Sequence, residues 1–244
     1  MRSAGWWITA RTALALTVVL AVAACGVAVA PPVSPTATPL PSPTPSPSPT
    51  ATPTTRPPTS APAGMTSVAI PAAGISLPVP DAWKQVDAGD LADPSIRTDI
   101  AATYPGASRL LKAAEAMGGR ATPVFVALDP SAAGTTASLT PNIAVLVSPQ
   151  SVSGLLLDLV AGFIGSGFAD AFEATETERE RVQTPVGEAV RLRYSLPGGG
   201  TPLEAAVWVI GAPSGTLLVS MMGPVDVLAD LDPEAIMAAT ARLP

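Results

Sequence analysis

The segment VQTPVGEAVRLRYSLPGGGTPLEAAVWVIGAPSGTLLVSMMG, residues 182–223, decides the fold of this chain. It contains three runs rich in apolar and β-branched residues, at 189–196, 203–210 and 216–222. Short turns built from Pro and Gly separate these runs. Strands joined by such short turns are antiparallel, because a parallel pair needs a crossover of a dozen residues or more. The segment therefore predicts an antiparallel meander.

The residues before this meander, 173–183, alternate between charged and polar side chains. A strand with both faces partly solvated fits this pattern, and a helical start with contacts four residues apart is the alternative. In the next run, Arg191 and Arg193 share one face, where they could bind an acidic partner or balance the preceding glutamates. The predicted strand places Glu176, Glu178 and Glu180 on one face and Thr175, Thr177, Arg179 and Arg181 on the other.

The longest helical pattern covers residues 151–172. Ser151 or Ser153 is the expected N-cap, because a hydroxyl oxygen can accept from the first backbone N–H groups. An apolar stripe along the helix predicts a face buried in the core. Membrane insertion is the weaker alternative, because Asp158 interrupts an apolar run that is short for a span of about 20 residues. The stripe comprises Val152, Leu156, Leu159, Phe163 and Ser166, widened by Leu155, Ile164 and Phe168, while Ala161, Gly165 and Ala169 predict close approach of another element.

The remaining segments predict further strands and helices. Residues 67–80 form a predicted β-hairpin, and their prolines favour a sheet edge because proline cannot donate to a ladder. Asp93-Pro94 and Asp232-Pro233 each predict a helix that begins with an acidic N-cap and a first-turn proline. Another helix is expected over 106–117, and strands over 124–128 and 142–148. The predicted fold class is α+β, with helices packed on an antiparallel sheet.

Five segments carry a family resemblance: 75–83 (ISLPVPDAW), 123–130 (PVFVALDP), 140–149 (TPNIAVLVSP), 182–199 and 216–223 (TLLVSMMG). Within them stand Pro80 and Trp83 after the hairpin, Asn142 at the start of a strand, and Gly187-Glu188-Ala189 followed by Arg191. Together they resemble the LpqN-type lipoproteins of actinobacteria, whose fold is similar to that of photosystem II PsbP. The resemblance implies a PsbP-like fold and a cell-envelope lipoprotein with an adaptor-like or ligand-binding role. It supplies no catalytic residues.

A stretch of Pro, Ser, Thr and Ala precedes this predicted domain, at residues 31–63. Proline removes backbone donors, and the stretch has too little apolar bulk to offset the entropy of ordering. We expect a disordered, extended linker that reaches up to roughly 100 Å at about 3.1 Å per residue. A plain spacer is the simplest interpretation, although Ser and Thr beside Pro also fit an O-glycosylated stalk.

The first residues have the features of a secretory leader. Residues 1–11 are basic, with Arg2 and Arg11 and no acidic residue. The apolar run over 12–24 that follows has the length of a signal-peptide hydrophobic core. Cys25 follows the small residues Ala23 and Ala24, an arrangement that resembles the bacterial lipobox. This resemblance implies cleavage before Cys25 and attachment of acyl chains such as palmitate, which together anchor a protein stably. An uncleaved anchor with an incidental cysteine is the alternative.

Charge and composition exclude several classes of function. Of 13 Lys and Arg residues, Arg2, Arg11 and Arg56 precede Met65, which leaves 10 basic against 19 acidic residues and a net charge of −9 from there on. Such an acidic domain repels phosphate backbones, so we expect no nucleic-acid partner. The chain has no His, and Cys25 is its single Cys. His-dependent triads and the usual zinc or copper sites are therefore excluded, and we predict no cofactor.

Carboxylate chemistry is the remaining enzymatic alternative. A glycosidase needs two carboxyl groups facing one cleft. The candidates are Asp129, Asp158, Asp170 and Glu188, which lie at element ends or within the apolar helix, but no spacing singles out a pair. The glycines at 162–167 and 198–200 are interpreted as packing and hairpin residues rather than as phosphate cradles.

The sequence thus predicts a lipoprotein signal peptide at 1–24, a lipidated amino terminus and disordered linker at 25–65, and a globular α+β domain at 66–244. The expected location is the extracytoplasmic face of the cell membrane, with attachment through Cys25. The expected function is non-catalytic binding of an envelope protein or of a small apolar ligand between sheet and helices. A cell-wall glycan enzyme using Asp and Glu is one alternative, and an inert structural head on a stalk is another.

Overall fold

The computed structural model describes residues 59–116, 121–135 and 137–244. The predicted leader over 1–24, Cys25 and most of the predicted linker lie outside the described residues. Met117, the expected last residue of the helix over 106–117, also lies outside them. Within the described part, the chain forms an α+β domain of antiparallel sheets and packed helices, as predicted.

The strands of the described residues form two antiparallel sheets. A large seven-stranded sheet has the order β3-β4-β5-β9-β8-β7-β6, and a small sheet has the order β1-β2-β10. The predicted meander is confirmed as β6 to β9, with each strand paired to the next. The strands are β1 Met65–Ile70, β2 Ile75–Pro80, β3 Lys84–Asp87, β4 Thr122–Leu128, β5 Asn142–Ser148, β6 Thr175–Thr184, β7 Gly187–Leu196, β8 Leu203–Ala212, β9 Gly215–Pro224 and β10 Ala241–Arg242.

Helices cover both faces of the large sheet. They are α1 Ala88–Ala92, α2 Pro94–Thr103, α3 Ser108–Ala116, α4 Leu155–Phe172, α5 Val225–Leu231 and α6 Pro233–Ala239. Both predicted acid–proline caps are confirmed, because Asp93 accepts from the Ser95 N–H and Asp232 from the Ala235 N–H. The sequence analysis missed β3, α1, α5 and β10, which have two to seven residues each and are too short for a periodic pattern to stand out.

Two hydrophobic clusters lie on opposite faces of the large sheet. In one cluster, α1 to α4 pack on side chains such as Val126, Leu192 and Val207. In the other, the small sheet, α5 and α6 pack on neighbouring strand residues that include Ile143 and Trp208. Because successive side chains of a strand point to opposite faces, strands buried on both sides read as nearly continuous apolar runs.

The predicted hairpin is β1 and β2, but its prolines do not place both strands at an edge. The strand β2 lies in the middle of the small sheet, and it pairs with β10 only through Ile75 and Ser76. Pro78 and Pro80 lie beyond that short pairing. Proline is tolerated there because no second neighbour needs its missing N–H.

The start of α4 also differs from the prediction. The helix begins at Leu155, and its N-cap is Gly154, which offers no side-chain acceptor. Neither predicted serine caps the helix, since the Ser151 hydroxyl instead donates to the Ala212 carbonyl oxygen at 2.7 Å. The helix ends at Glu173, in the left-handed region at φ 54°. The strand β6 follows directly from Thr175, so the alternative of a helical start for this segment is wrong.

Close approach of α4 to the sheet is confirmed at Gly165. A Cβ atom there would lie 2.7 Å from the Tyr194 hydroxyl oxygen and 3.3 Å from a Leu192 methyl carbon. Tyr194 is buried and its ring packs 4.8 Å from that of Phe168, so it cannot move aside freely. Gly167 lies on the opposite side of the helix, and a Cβ atom built there would have no packing partner within 4 Å.

This contrast predicts different effects of the same substitution at two glycines of one helix. Gly165→Ala and Gly167→Ala gain the same helix propensity of about 1 kcal/mol. Only Gly165→Ala overpacks the core, so its free energy of unfolding should be about 1–3 kcal/mol below that of Gly167→Ala. Urea denaturation at low protein concentration, followed by tryptophan fluorescence, measures the difference. Equal stabilities would show that α4 does not dock through Gly165.

Candidate functional site

The outer face of α4 is the largest apolar feature left on the surface of the described residues. Leu155, Leu156, Leu159 and Phe163 are exposed by 85, 59, 70 and 61%. The predicted burial is therefore wrong for these four residues, whereas Val152, Ile164 and Phe168 of the predicted stripe are partly buried against the core. The buried face of α4 is formed by Leu157, Ala161, Gly165 and Phe172.

The physical reason is the size of the residues. The helix packs against β7 and β8 through the face on which small residues allow the backbone to approach the sheet. The bulky stripe lies on the other side of the helix and is left facing solvent. Patches of this kind on soluble domains usually mark a binding surface.

An open groove of about 710 Å³ borders the exposed stripe. It is lined by the apolar side chains of Leu159 and Phe163 and by the charged residues Asp158, Asp170 and Arg179. The small residues Gly162, Ser166 and Gly167 complete the lining. Of the three glycines expected to be packing residues, Gly165 packs tightly against β7, and a Cβ atom at Gly162 would lie 3.4 Å from the Arg179 guanidinium of β6. Gly167 has open space around it, and Gly162 and Gly167 both line the groove.

An ion-pair cluster fixes the amino end of α4 to the sheet. The Arg181 guanidinium donates to both Asp158 carboxylate oxygens at 2.5–3.2 Å and to the Gly154 carbonyl oxygen at 2.7 Å. It also pairs with Glu188 of β7. Glu188 in turn accepts from the Gly154 N–H at 3.3 Å. One arginine thus joins the first turn of α4 to the edge of the sheet.

A β-bulge in β6 changes the predicted distribution of its charges. The register shifts between Glu176 and Glu178. As a result, Glu176 lies with Arg179 on the α4 side, where its carboxylate accepts two hydrogen bonds from the guanidinium at 2.8–2.9 Å. The prediction that the three glutamates of β6 share one face is therefore wrong, because a bulge inserts a residue and reverses the alternation.

The pKa shifts on this side follow from the arginines. The hydrogen bond from Arg181 lowers the pKa of Asp158, and that from Arg179 lowers the pKa of Glu176. Burial, with the neighbouring Glu176 carboxylate, raises the pKa of the Tyr194 hydroxyl. A general acid needs a carboxyl with a raised pKa, which is the opposite shift.

The two arginines of β7 lie on the opposite face of the sheet. Arg191 pairs with Glu178, Glu180 and Glu234, and Arg193 pairs with Glu178 and Glu234. These two arginines thus balance glutamates of β6, and Glu234 of α6 is an additional partner. These pairs tie α6 to the edge of the sheet and leave little charge for an external acidic partner.

The carboxylate candidates do not form one site. Asp129 caps a 3-10 turn by accepting from the Ser131 N–H at 2.9 Å. Asp158 and Glu188 share Arg181, and Asp158 and Asp170 both line the open groove. These two lie twelve residues apart on α4, about 18 Å along the helix axis, which is too far for a glycosidase pair. Within the described residues, no group of three His, Cys, Asp or Glu side chains could hold a metal ion. The expectation of a non-catalytic domain stays a prediction.

The motif residues have structural roles. Asn142 is fully buried at the start of β5, where its amide donates to the Thr140 carbonyl oxygen at 2.8 Å. Trp83 is half-buried against the cluster beneath the small sheet. A cavity of only about 30 Å³ lies between α3, α4 and the sheet. This is about the volume of one water molecule, so an apolar ligand would have to displace a helix to bind there.

Comparison with known proteins concerns the fold. No family model matches the chain, and no curated protein matches it. Among solved structures, the chain is similar to the solution structure of a cyanobacterial PsbP protein, CyanoP from Synechocystis sp.. The TM-score is 0.44 at 12% sequence identity, over 74% of this chain and 93% of that protein.

The cluster at the amino end of α4 predicts a specific change in titration. In Arg181→Gln, the pKa of Asp158 should rise toward its ordinary value of 3.8, because the hydrogen bond that lowers it is lost. Because the pKa of Asp158 is lower in the folded than in the unfolded state, the contact with Arg181 stabilises the fold at pH values above the ordinary pKa. This stabilisation is lost as the pH falls through the lowered pKa. Carboxyl ¹³C NMR titration measures the shift, with Arg109→Gln as the control. An unchanged Asp158 pKa in Arg181→Gln would contradict the cluster.

Proposed function

We propose that this chain is a lipid-anchored lipoprotein of the extracytoplasmic membrane face, with a non-catalytic domain that binds a protein through the outer face of α4. The anchor rests on the sequence alone: a basic start, an apolar run at 12–24 and Cys25 placed directly after it. Two or more acyl chains on one cysteine give stable attachment where a single chain would be marginal. The linker over 31–63 then acts as an extended tether for the domain.

The observation that carries the binding role is the exposed apolar stripe of α4. Three leucines of the stripe are each more than half exposed, although the same helix has a separate buried face. Two further observations support binding over catalysis. Of the carboxylates near the stripe, Asp158 and Glu176 are paired with arginines, and their pKa values are lowered. The apolar stripe lies on the outer surface of the domain and not in an enclosed pocket, which favours a macromolecular partner over a small ligand.

The finer family assignment is part of the same proposal. The hairpin followed by Pro80 and Trp83, the buried Asn142 and the Gly187-Glu188-Ala189 segment support membership of the LpqN-type lipoproteins. In the structure these residues include the end of β2, a buried hydrogen bond and the start of β7. An adaptor-like role in the cell envelope fits a family whose shared residues have structural and not catalytic roles.

The anchor predicts a modified amino terminus. Mass spectrometry of the native protein should find a peptide that begins at Cys25 and carries acyl chains. Cys25→Ser should leave the precursor uncleaved or release the protein from the membrane, because no thiol remains to accept the lipid. Membrane association and mass that do not change in Cys25→Ser would contradict the anchor.

The binding surface predicts protein contacts at one position and not at another. A photo-crosslinking amino acid in place of Leu159 should form adducts with protein in intact cells. The matched control is the same residue in place of Val225, which is 39% exposed on α5 at the opposite face of the sheet. Equal adduct formation at both positions, or none at Leu159, would show that the outer face of α4 is not a binding surface.

A further inference from the structure

We infer that the outer face of α4 binds the same face of a second copy of this chain, with the two α4 helices antiparallel about a two-fold axis. This inference names the partner of the surface proposed above and therefore rests on that proposal. Four features of α4 support a second copy: the area of the stripe, the distribution of residue sizes, the position of Asp170 and the shortage of basic residues.

The exposed area fits a reversible pair. Three leucines and one phenylalanine, each more than half exposed, give a patch on the order of 500 Å². A two-fold contact uses the same patch twice and would bury about 1,000 Å² in total, the lower limit for a specific interface. Anchored copies are confined to one surface, and this confinement raises their effective concentration and favours even a weak pair.

The sizes of the side chains are complementary in an antiparallel arrangement. The bulky residues Leu155, Leu156 and Leu159 occupy the first half of the exposed face, and Ser166 and Gly167 occupy the second half. An axis between Leu159 and Phe163 sets each bulky half over the small half of the other copy. The groove beside the stripe, with Gly162 in its lining, allows the two helices to approach closely.

Asp170 favours the antiparallel over the parallel arrangement. This residue is exposed near the carboxyl end of α4 and lines the groove. A parallel pair would place the two Asp170 side chains together. An antiparallel pair separates them along the helix axis and brings each to the amino end of the other helix, where Arg181 already pairs with Asp158 and Glu188.

A membrane surface fits the stripe less well. Helices that lie on anionic lipid carry Lys and Arg on their polar side. The residues of α4 include no Lys or Arg but include Asp158 and Asp170, and the domain from Met65 onward has a net charge of −9. The helix has the length and apolarity of a short span, but spanning would require Leu157, Ala161 and Phe172 to leave the core.

The experiment uses cysteine pairs in the anchored protein. Cells produce two versions of the full chain, one with Leu155→Cys and one with Gly167→Cys, and isolated membranes are treated with a mild oxidant. The antiparallel pair predicts a disulfide between position 155 of one copy and position 167 of the other, mapped by peptide mass spectrometry. The chain with Leu155→Cys alone should not form a 155–155 disulfide, because these positions would be about 18 Å apart along the axis.

The control variants separate the contact from folding. Leu156→Gln together with Leu159→Gln should lower the disulfide yield at least about fivefold, because the apolar contact is lost. Val225→Gln, an exposed apolar position on α5, should leave the yield unchanged. Both side chains replaced in the double variant are exposed, so its circular dichroism and urea denaturation should match those of the starting protein.

Three results would overturn the inference: no 155–167 disulfide while the domain is folded, a 155–155 disulfide in its place, or a yield insensitive to the double variant. An adduct of the Leu159 photo-crosslinker with a different protein, and none with this chain, would overturn the second copy but leave the proposed binding surface intact. Absence of any protein adduct would overturn both. The acylation of Cys25 is measured independently by mass.

Discussion

The pairing of β9 with β5 and β8 is the constraint on which the rest of the fold depends. This strand, Gly215–Pro224, is the fourth of seven in the large sheet, and all its residues except the last are buried. Its side chains enter both hydrophobic clusters, with Leu218 and Met222 on the side of α1 to α4 and Val219 and Met221 on the other. A strand with two buried faces requires cover on both sides, and the helices and the small sheet supply it.

The path of the chain makes α4 the connection that crosses the sheet between β5 and β6. After β5 the chain must travel to the far edge of the sheet before β6, β7 and β8 return it to β9. The helix α4 makes this crossing over one face, against β7 and β8. The crossing is close because Ala161 and Gly165 face the sheet, and among residues 59–116, 121–135 and 137–244 the bulky side of the helix is exposed. The exposed stripe is therefore a consequence of how α4 connects β5 to β6 across the sheet.

The sequence predicted the parts of the fold that have strong local signals. Turns of Pro and Gly fixed the meander, and the pairs Asp93-Pro94 and Asp232-Pro233 fixed two helix starts because each acid caps the N–H groups that follow it. The bulge in β6 could not be foreseen, because the alternation of Glu and Arg reads the same in both registers until the partner strand is known. The short β3 and β10 are defined by their partners rather than by their own residues.

The candidate site was only half accessible from sequence. The periodicity identified the stripe of α4 correctly, yet the helix is apolar on most of its circumference, so the pattern did not show which side faces the sheet. The decisive signal was the spacing of Ala161 and Gly165, since a face that approaches β7 closely cannot also carry Leu159 and Phe163. The small residues Ala161 and Gly165, which lie between Leu157 and Phe172 on the buried face, set the orientation of this helix.

The orientation of α4 is the central claim, because both the core and the proposed binding surface follow from it. NMR measurement of proton–proton contacts tests it directly. The account predicts a strong nuclear Overhauser effect between the Gly165 Hα protons and the ring of Tyr194, and none between that ring and the methyl groups of Leu159. Contacts from the Leu159 methyl groups to the rings or methyl groups of β7, with none from Gly165, would contradict it.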